Sequence, residues 1–249
     1  MKLLLTNDDG ITASGIIILA KALENEAEIV LAAPDIQRSA SGHSITLNRG
    51  LTIKEVKIDG LKARAYSVDG TPVDCVRVGI DKLFDSRPDM VISGINKGFN
   101  RGIDVLYSGT VSAAIESAIS KIPAIAISAE NSESDEVYYI AADYVKDIIK
   151  IVTAHKILPG TVFNVNVPKV PREKIKGIKV CSLGEQIYSA DFTELDTESY
   201  KSYIIGGKII DPGPKGTDVH YLNEGYITVT PLHYDLTNHE LLKDVDSWF

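Results

Sequence analysis

Short apolar runs alternate with amphipathic segments along most of the chain. Residues 2–6 (KLLLT) and 27–34 (AEIVLAAP) are apolar runs followed by turn-forming residues, a pattern typical of buried parallel strands. Between them, the spacing of apolar residues predicts a helix over 14–25, with Ser14 as its N-cap. The chain is therefore expected to begin with a strand–helix–strand unit.

The same alternation continues along most of the chain. Repeated strand–helix units predict an α/β fold, a three-layer Rossmann-like arrangement with a mostly parallel sheet and helices on both faces. In such sheets, ligands bind beyond the carboxyl ends of the strands. Further strands are predicted at 88–94, 123–128, 161–168, 177–183 and 225–232, and further helices at 110–121, 136–152 and within 238–249.

Two segments do not fit the alternation. Residues 185–224 are polar, with paired glycines at 206–207 and PGPKG at 212–216, and we expect a protruding β-hairpin arm with loops. Residues 235–249 are expected to form an extended C-terminal tail ending in Trp248 and Phe249, which would be exposed on a single subunit. We therefore expect one domain over 1–249, with a core of about 1–184 and 225–234.

Composition narrows the class of protein. With 249 residues, 44% of them hydrophobic and 24% charged, the chain has the balance of a soluble globular protein. A net charge of −8 argues against binding of nucleic-acid polymers and requires a local cation for any phosphate-bearing substrate. Cys75 and Cys181 are the only cysteines and suit a reducing compartment. Since no apolar run approaches about 20 residues, we expect no membrane span and a cytoplasmic location.

Two adjacent carboxylates, Asp8 and Asp9, follow the first predicted strand in the segment TNDDG. Neighbouring side chains within a strand face opposite ways, but a turn after Thr6 could direct both to one side. Two such carboxylates repel each other unless a cation or a proton lies between them. With hydroxyl and amide oxygens they suit Mg²⁺, Mn²⁺ or Ca²⁺. An exposed Asx turn is the structural alternative.

A possible anion site lies at the same edge of the predicted sheet. Ser108, Gly109 and Thr110 open a predicted helix, where backbone N–H groups and hydroxyls meet the positive end of the helix dipole. Alternatively, Ser108 or Thr110 only caps that helix. A cation site beside an anion site is what phosphoryl chemistry requires.

The sequence lacks the motifs of three other common functional sites. The chain has no GxGxxG after its first strand, no GxxxxGK[ST] and no GxSxG, which argues against a nicotinamide site, a P-loop and a nucleophile elbow. A serine esterase that uses Ser41 or Ser44 with His43 remains an alternative.

Several segments taken together resemble the survival protein SurE family. They include LLLTNDDGITASGI, AAPDIQRSASGHSIT, PDMVISGINKGFNRGIDVLYSGTVSAAIE and the late ITVTPL, in the family's order from residue 3 to about 232. The resemblance implies a metal-dependent phosphatase that hydrolyses nucleoside 5′- and 3′-monophosphates, with some activity on polyphosphate. It implies one divalent cation per subunit, Mg²⁺ or Mn²⁺ (Ca²⁺ in a crystal), bound by Asp8, Asp9, Ser39 and Asn96.

The resemblance also implies a substrate site and an assembly. Catalytic roles fall on Asp8, Asp9 and Asn96, and the assembly is a homodimer with exchanged C-terminal elements, extended to a tetramer in some members. The sequence departs from the family at His220 and Tyr221. This difference concerns the rim of the site that determines substrate specificity. A non-catalytic, metal-dependent nucleotide-binding or regulatory protein is the alternative function. The substrate or its phosphate is expected to contact Asn7, Ser39, Gly42, His43, Asn96, Ser108, Gly109 and Thr110.

Overall fold

A central sheet of nine strands organises the computed structural model, which describes residues 1–155, 160–189, 191–195, 201–211 and 213–249. In the first half lie β1 (Lys2–Thr6), α1 (Ser14–Leu23), β2 (Glu28–Pro34), β3 (Ile53–Val56), β4 (Arg64–Val68), α2 (Pro72–Lys82), β5 (Met90–Lys97), a 3₁₀ helix (Gly102–Leu106) and α3 (Gly109–Ile119). In the second half lie β6 (Ala124–Ala129), α4 (Glu136–Ala154), β7 (Val162–Val167), a 3₁₀ turn (Arg172–Lys174), β8 (Ile178–Val180), β9 (Ile187–Tyr188), β10 (Asp191–Leu195), β11 (Ser202–Gly206), β12 (Ile209–Asp211), α5 (Asp218–Asn223), β13 (Ile227–Leu232) and α6 (Leu242–Asp246).

The order of the strands opens a crevice next to β1. The sheet runs β3-β4-β2-β1-β5-β6-β7-β13-β8, with antiparallel pairs only at β3–β4 and β7–β13. From β1 the chain builds one side of the sheet through β2 and β4, and then the other side through β5, β6 and β7. The direction in which strands are added to the sheet therefore reverses between β1 and β5. At this point the carboxyl ends of the parallel strands leave a natural binding crevice.

Apolar layers cover both faces of the sheet, which confirms the predicted three-layer fold. On one face α1 and α4 pack over Leu3 and Leu5, and on the other α2 and α3 pack over Leu4. All three leucines are fully buried. Because β1 is covered on both faces, its sequence is continuously apolar rather than alternating.

Two strands and one α-helix of the amino-terminal half were not predicted. The strands β3 and β4 lie at one edge of the sheet, and the Ile53–Val56 strand is mostly exposed, so it lacks an apolar run. The helix α2 does carry a sequence signal, because Thr71 and Asp74 form a capping box with Pro72 in the first turn. The predicted N-cap at Ser14 is wrong: Ala13 is the N-cap, without a side-chain bond, and Ser14 is the first helical residue.

The strand β5 continues beyond its predicted end at residue 94. Its pairing with β6 becomes irregular between Ser93 and Asn96. Gly94 has φ of 135°, and a Cβ there would lie 2.1 Å from the carbonyl oxygen of Ile127. Only glycine fits so close to the neighbouring strand. The irregular segment carries Asn96 to the edge of the crevice.

The segment predicted as an arm contains paired strands followed by a helix. The strands β10 and β11 form one antiparallel ladder and β9 and β12 another, with exposed apolar side chains such as Phe192 and Ile205. The prediction of hairpin and loops up to residue 224 is wrong for α5, because Asp218, Val219 and Leu222 are buried.

The tail carries the predicted terminal helix as α6, with Trp248 and Phe249 exposed. In the part of the chain that is described, no helix is long and apolar enough to cross a membrane.

Candidate metal and phosphate site

The turn after β1 is closed by Asn7 and directs the next two residues toward the crevice. The side-chain amide of Asn7 donates to the Gly10 carbonyl at 2.9 Å, and its oxygen accepts from the Gly10 N–H at 3.1 Å. The Asx turn considered from the sequence therefore exists, but Asn7 forms it. Asn7 is fully buried, and its side chain is occupied by the turn.

Asp8, in the turn after β1, is a buried carboxylate whose side chain contacts the start of α3. Its side chain accepts a 2.5 Å hydrogen bond from the Thr110 hydroxyl, and the residue is only 5% exposed. Burial raises the pKa of Asp8 to about 6, with a smaller contribution from the neighbouring charge of Asp9, although the bond from Thr110 acts in the opposite direction. The structure thus holds a carboxylate where its negative charge is poorly compensated.

Asp9 connects the end of β1 to the end of β5. Its Oδ2 accepts from the Lys97 N–H at 3.0 Å, and its Oδ1 accepts from the Gln37 amide at 3.2 Å. Burial raises the pKa of Asp9, and the bond from Lys97 opposes this effect. Both carboxylates of the predicted pair are therefore partly desolvated in the same crevice.

The loop after β2 brings Ser39 to the same place. The Gln37 amide that bonds Asp9 also donates to the Ser39 hydroxyl at 2.8 Å, so one donor group links two of the four predicted metal ligands. The backbone N–H of Arg38 donates to the Asp8 carbonyl at 2.7 Å and fixes the loop against β1. Sequence reasoning missed Gln37, whose contact with Asp9 spans 28 positions of the chain.

Asn96, the fourth predicted metal ligand, lies near the carboxyl end of β5. Its amide nitrogen donates to the Gly98 carbonyl at 2.9 Å, which orients the group and leaves Oδ1 for a ligand. Two carboxylates, a hydroxyl and an amide form an oxygen set that fits a hard divalent cation. Within the described ranges no group of three or more His, Cys, Asp or Glu side chains is placed to hold a metal.

The first turn of α3 closes the site on its other side. The Ser108 hydroxyl accepts from the Val111 N–H at 3.1 Å and caps the helix, while Thr110 is occupied by Asp8. A Cβ on Gly109 would lie 2.8 Å from the Cβ of Asp8, so glycine allows the helix to approach this closely. The Val111 N–H serves this cap and the Thr110 backbone N–H contributes a hydrogen bond to the Asp8 carboxylate, so Gly109 supplies the N–H group of this turn for the predicted phosphate site.

His43 does not form the serine–histidine pair that an esterase requires. Its Nε2 lies 2.9 Å from Oε2 of Glu116, a buried residue of α3 that sequence reasoning missed. The Ser44 hydroxyl donates to the Ser41 carbonyl, and the Ser41 hydroxyl has no hydrogen-bond partner among the described residues. Gly42 contacts α3's entry loop through its N–H, which donates to the Tyr107 carbonyl at 3.1 Å.

Buried polar residues hold the loop between β5 and α3. The carbonyl of Asn100 accepts from the side chains of Asn164 and Asn166, and its own amide donates to the Ser128 hydroxyl at 2.8 Å. Asp218 of α5 accepts from the Gly102 N–H at 2.8 Å. The polar positions in FNVNVP are the only sequence signal for this network, which was not predicted. His220 and Tyr221 also lie on α5 and contact each other.

The chain is similar to known proteins along its whole length. Residues 3–190 match the family model described as survival protein SurE. Curated relatives from Clostridium tetani and Clostridium kluyveri, both named 5′-nucleotidase SurE, are 49% and 48% identical, with alignments over 100% of this chain and 100% and 99% of the relatives. The crystal structure of the SurE protein from Aquifex aeolicus is similar with a TM-score of 0.86 at 39% identity, covering 100% of this chain and 99% of that one.

Replacing Asp8 by Asn should stabilise the metal-free protein while removing a metal ligand. The folded-state pKa of about 6 lies above the ordinary value of 3.8, so the folded protein holds this proton more tightly than the unfolded chain. As pH rises from about 4 to about 6, wild type should therefore lose stability relative to Asp8→Asn, by on the order of 3 kcal/mol, and the difference should level off above that range.

Denaturant unfolding between pH 4 and 8 in EDTA measures this difference. Asp59→Asn, at an exposed aspartate outside the site, is the matched control. Adding Mg²⁺ or Mn²⁺ at pH 7.5 should stabilise wild type and the control more than Asp8→Asn. A pH-independent difference between wild type and Asp8→Asn would contradict the description of Asp8 as a poorly compensated carboxylate.

Proposed function

The chain belongs to the survival protein SurE family, and on this premise we propose that it is a divalent-metal-dependent phosphatase of nucleoside 5′- and 3′-monophosphates. The products are nucleoside and phosphate. The observation that carries the proposal is the position of Asp8: a buried carboxylate at the reversal point of the sheet, in contact with the first turn of a helix. Cation-binding and anion-binding groups meet at that point, as phosphoryl chemistry requires.

One divalent cation per subunit, Mg²⁺ or Mn²⁺, would be held by Asp8, Asp9, Ser39 and Asn96. When bound, it supplies Lewis-acid polarisation of the phosphate and neutralises negative charge on its oxygens. The desolvated state of the two carboxylates supports this assignment, because their raised pKa values mark a site that lacks positive charge.

The protein's own groups bind and orient the phosphate. The Gly109 N–H at the start of α3 faces the phosphate oxygens, with the positive end of the helix dipole behind it. Thr110 fixes the Asp8 carboxylate and Ser108 fixes the helix terminus, so both hydroxyls act by positioning the site. The Asn96 side chain is oriented by the hydrogen bond from its amide nitrogen to the Gly98 carbonyl.

Phosphate release from a panel of nucleoside 5′- and 3′-monophosphates, with and without EDTA, tests the proposed function. We expect release across the panel that EDTA abolishes and that added Mg²⁺ or Mn²⁺ restores. Asp9→Asn should lose most activity while the fold persists, because Asp9 lies at the crevice and outside the apolar core. Asp59→Asn should retain full activity.

Two outcomes would contradict the proposal. Tight nucleotide binding with no phosphate release would favour a non-catalytic nucleotide-binding or regulatory protein with the same pocket. Near-normal turnover by Asp9→Asn with saturating metal would show that the predicted ligands do not form the site.

We also propose that the protein is a homodimer in which the C-terminal tail packs on the second subunit. Leu236, Leu242, Trp248 and Phe249 are exposed, Trp248 by 67%, and burying them would stabilise an assembly. Exchange of identical terminal segments is a low-cost route to a two-fold dimer. The exposed apolar side chains of the arm offer a second contact for a tetramer.

Removal of residues 235–249 should shift the dimer toward monomer and lower its stability. Sedimentation velocity at micromolar concentration measures the change. The double variant Leu242→Ser/Trp248→Ser should act in the same direction, and Lys243→Ser on the same helix is the matched control. Full-length protein that sediments as a monomer at these concentrations would disprove the assembly.

A further inference from the structure

The start of the arm contacts the segment that leads into α3. The 3₁₀ helix Gly102–Leu106 lies between β5 and α3, and the Oδ2 atom of its Asp104 accepts two hydrogen bonds from the arm. The Gln186 amide donates one at 2.7 Å, and the Tyr188 hydroxyl donates the other at 2.7 Å. The Gln186 amide also donates to the Tyr188 hydroxyl oxygen at 2.5 Å. The three side chains therefore form one closed cluster.

Burial fixes the position of Gln186 and the protonation of Tyr188. Gln186 is only 2% exposed, and its side-chain oxygen is buried without a hydrogen-bond partner among the described residues. Because an unpaired buried acceptor costs stability, the contacts on the nitrogen side decide the orientation of this amide. Partial burial, and then the contact with Asp104, raise the pKa of Tyr188 to about 12. The phenol therefore keeps its proton and donates to Asp104 at neutral pH.

A second contact joins the same two segments at the beginning of the 3₁₀ helix. The fully buried Asp218 accepts from the Gly102 N–H at 2.8 Å through Oδ2 and from the Gly184 N–H at 2.7 Å through Oδ1. A Cβ on Gly102 would lie 2.7 Å from the Gly184 carbonyl oxygen, so the two backbones are in direct contact. The start of the arm and the 3₁₀ helix are therefore held together at two places.

The 3₁₀ helix continues directly into the phosphate-binding turn. The Asp104 carbonyl accepts from the Tyr107 N–H at 3.0 Å, one residue before Ser108. The Val105 carbonyl accepts from the Ser108 N–H at 3.4 Å. Ser108 caps α3, and the next residue is Gly109, whose N–H is assigned to the phosphate. A shift of Asp104 therefore moves the Gly109 N–H through consecutive backbone hydrogen bonds.

We propose that Asp104, Gln186 and Tyr188 are positioning residues for the substrate phosphate, because their contacts hold the turn that presents the Gly109 N–H. This inference rests on the proposed phosphatase function. The Gly109 N–H would contact the phosphate in the substrate, in the transition state and in the product, so its displacement weakens all three alike. Loss of such uniform binding raises KM and leaves kcat almost unchanged.

The predicted metal ligands lie on other segments and provide an internal reference. Asp8 and Asp9 follow β1, Ser39 lies in the loop after β2, and Asn96 lies in β5. Breaking the cluster around Asp104 should therefore leave Mn²⁺ affinity within about twofold of wild type, whereas a general loosening of the fold would lower Mn²⁺ affinity and phosphate affinity together.

Calorimetric titration of the full-length, Mn²⁺-loaded protein with inorganic phosphate tests the proposal, together with KM and kcat for a nucleoside 5′-monophosphate. Tyr188→Phe removes only the hydroxyl that donates to Asp104. It should weaken phosphate binding and raise KM by about fivefold, with kcat within about twofold of wild type. Tyr203→Phe makes the same chemical change at an exposed tyrosine of β11 in the arm, and this matched control should behave as wild type.

Variants of Asp104 test whether the effect depends on its contact with Tyr188. Asp104→Asn keeps an oxygen that accepts hydrogen bonds and should stay within about twofold of wild type in phosphate affinity. Asp104→Ala removes the acceptor and should weaken phosphate binding by about fivefold or more. Adding Tyr188→Phe to Asp104→Ala should cause no further loss, because the two residues act through one contact.

Three results would overturn the positioning role: unchanged phosphate affinity in Tyr188→Phe, equal losses of phosphate and Mn²⁺ affinity, or additive losses in the double variant. Wild type that binds phosphate but hydrolyses no nucleotide would overturn the phosphatase function, and the phosphate titrations would still decide the positioning role. Wild type that binds no phosphate would overturn both.

Discussion

The site depends on the contact between the Asp8 carboxylate and the first turn of α3. The turn after β1 directs Asp8 into the crevice beside β5, and the Thr110 hydroxyl holds it at 2.5 Å. The absence of a side chain on Gly109 allows the helix to come this close. In the proposed function, this contact joins the cation site at the strand ends to the anion site at the helix terminus, so that both serve one phosphate.

This contact has an energetic cost that explains other features of the structure. Burial of Asp8 and Asp9 raises both pKa values, and the surrounding donors compensate only in part. A divalent cation would supply the missing positive charge, so the same residues that weaken the metal-free fold would make metal binding favourable. Functional sites often contain residues that lower the stability of the fold. Here those residues lie at the point where the strand order of the sheet reverses.

The sequence predicted the fold where local pattern decides it and failed where distant contacts decide it. The apolar runs that became β1, β2, β5 and β6 are buried on both faces, and such runs are readily recognised. The exposed edge strand β3 has no comparable pattern. In the site, adjacent Asp8 and Asp9 were visible in the sequence, but Glu116 meets His43 across 73 positions and Asp218 meets Gly102 across 116. No local spacing reports such pairs.

The proposed site requires that Asp8, Asp9, Ser39 and Asn96 surround a single divalent cation. The most direct test is diffraction at the manganese absorption edge from crystals of the protein grown with Mn²⁺. We expect one anomalous peak per subunit, bonded to oxygens of these four residues and next to the first turn of α3. A peak bonded to other residues, or none in the crevice when Mn²⁺ is saturating, would contradict it.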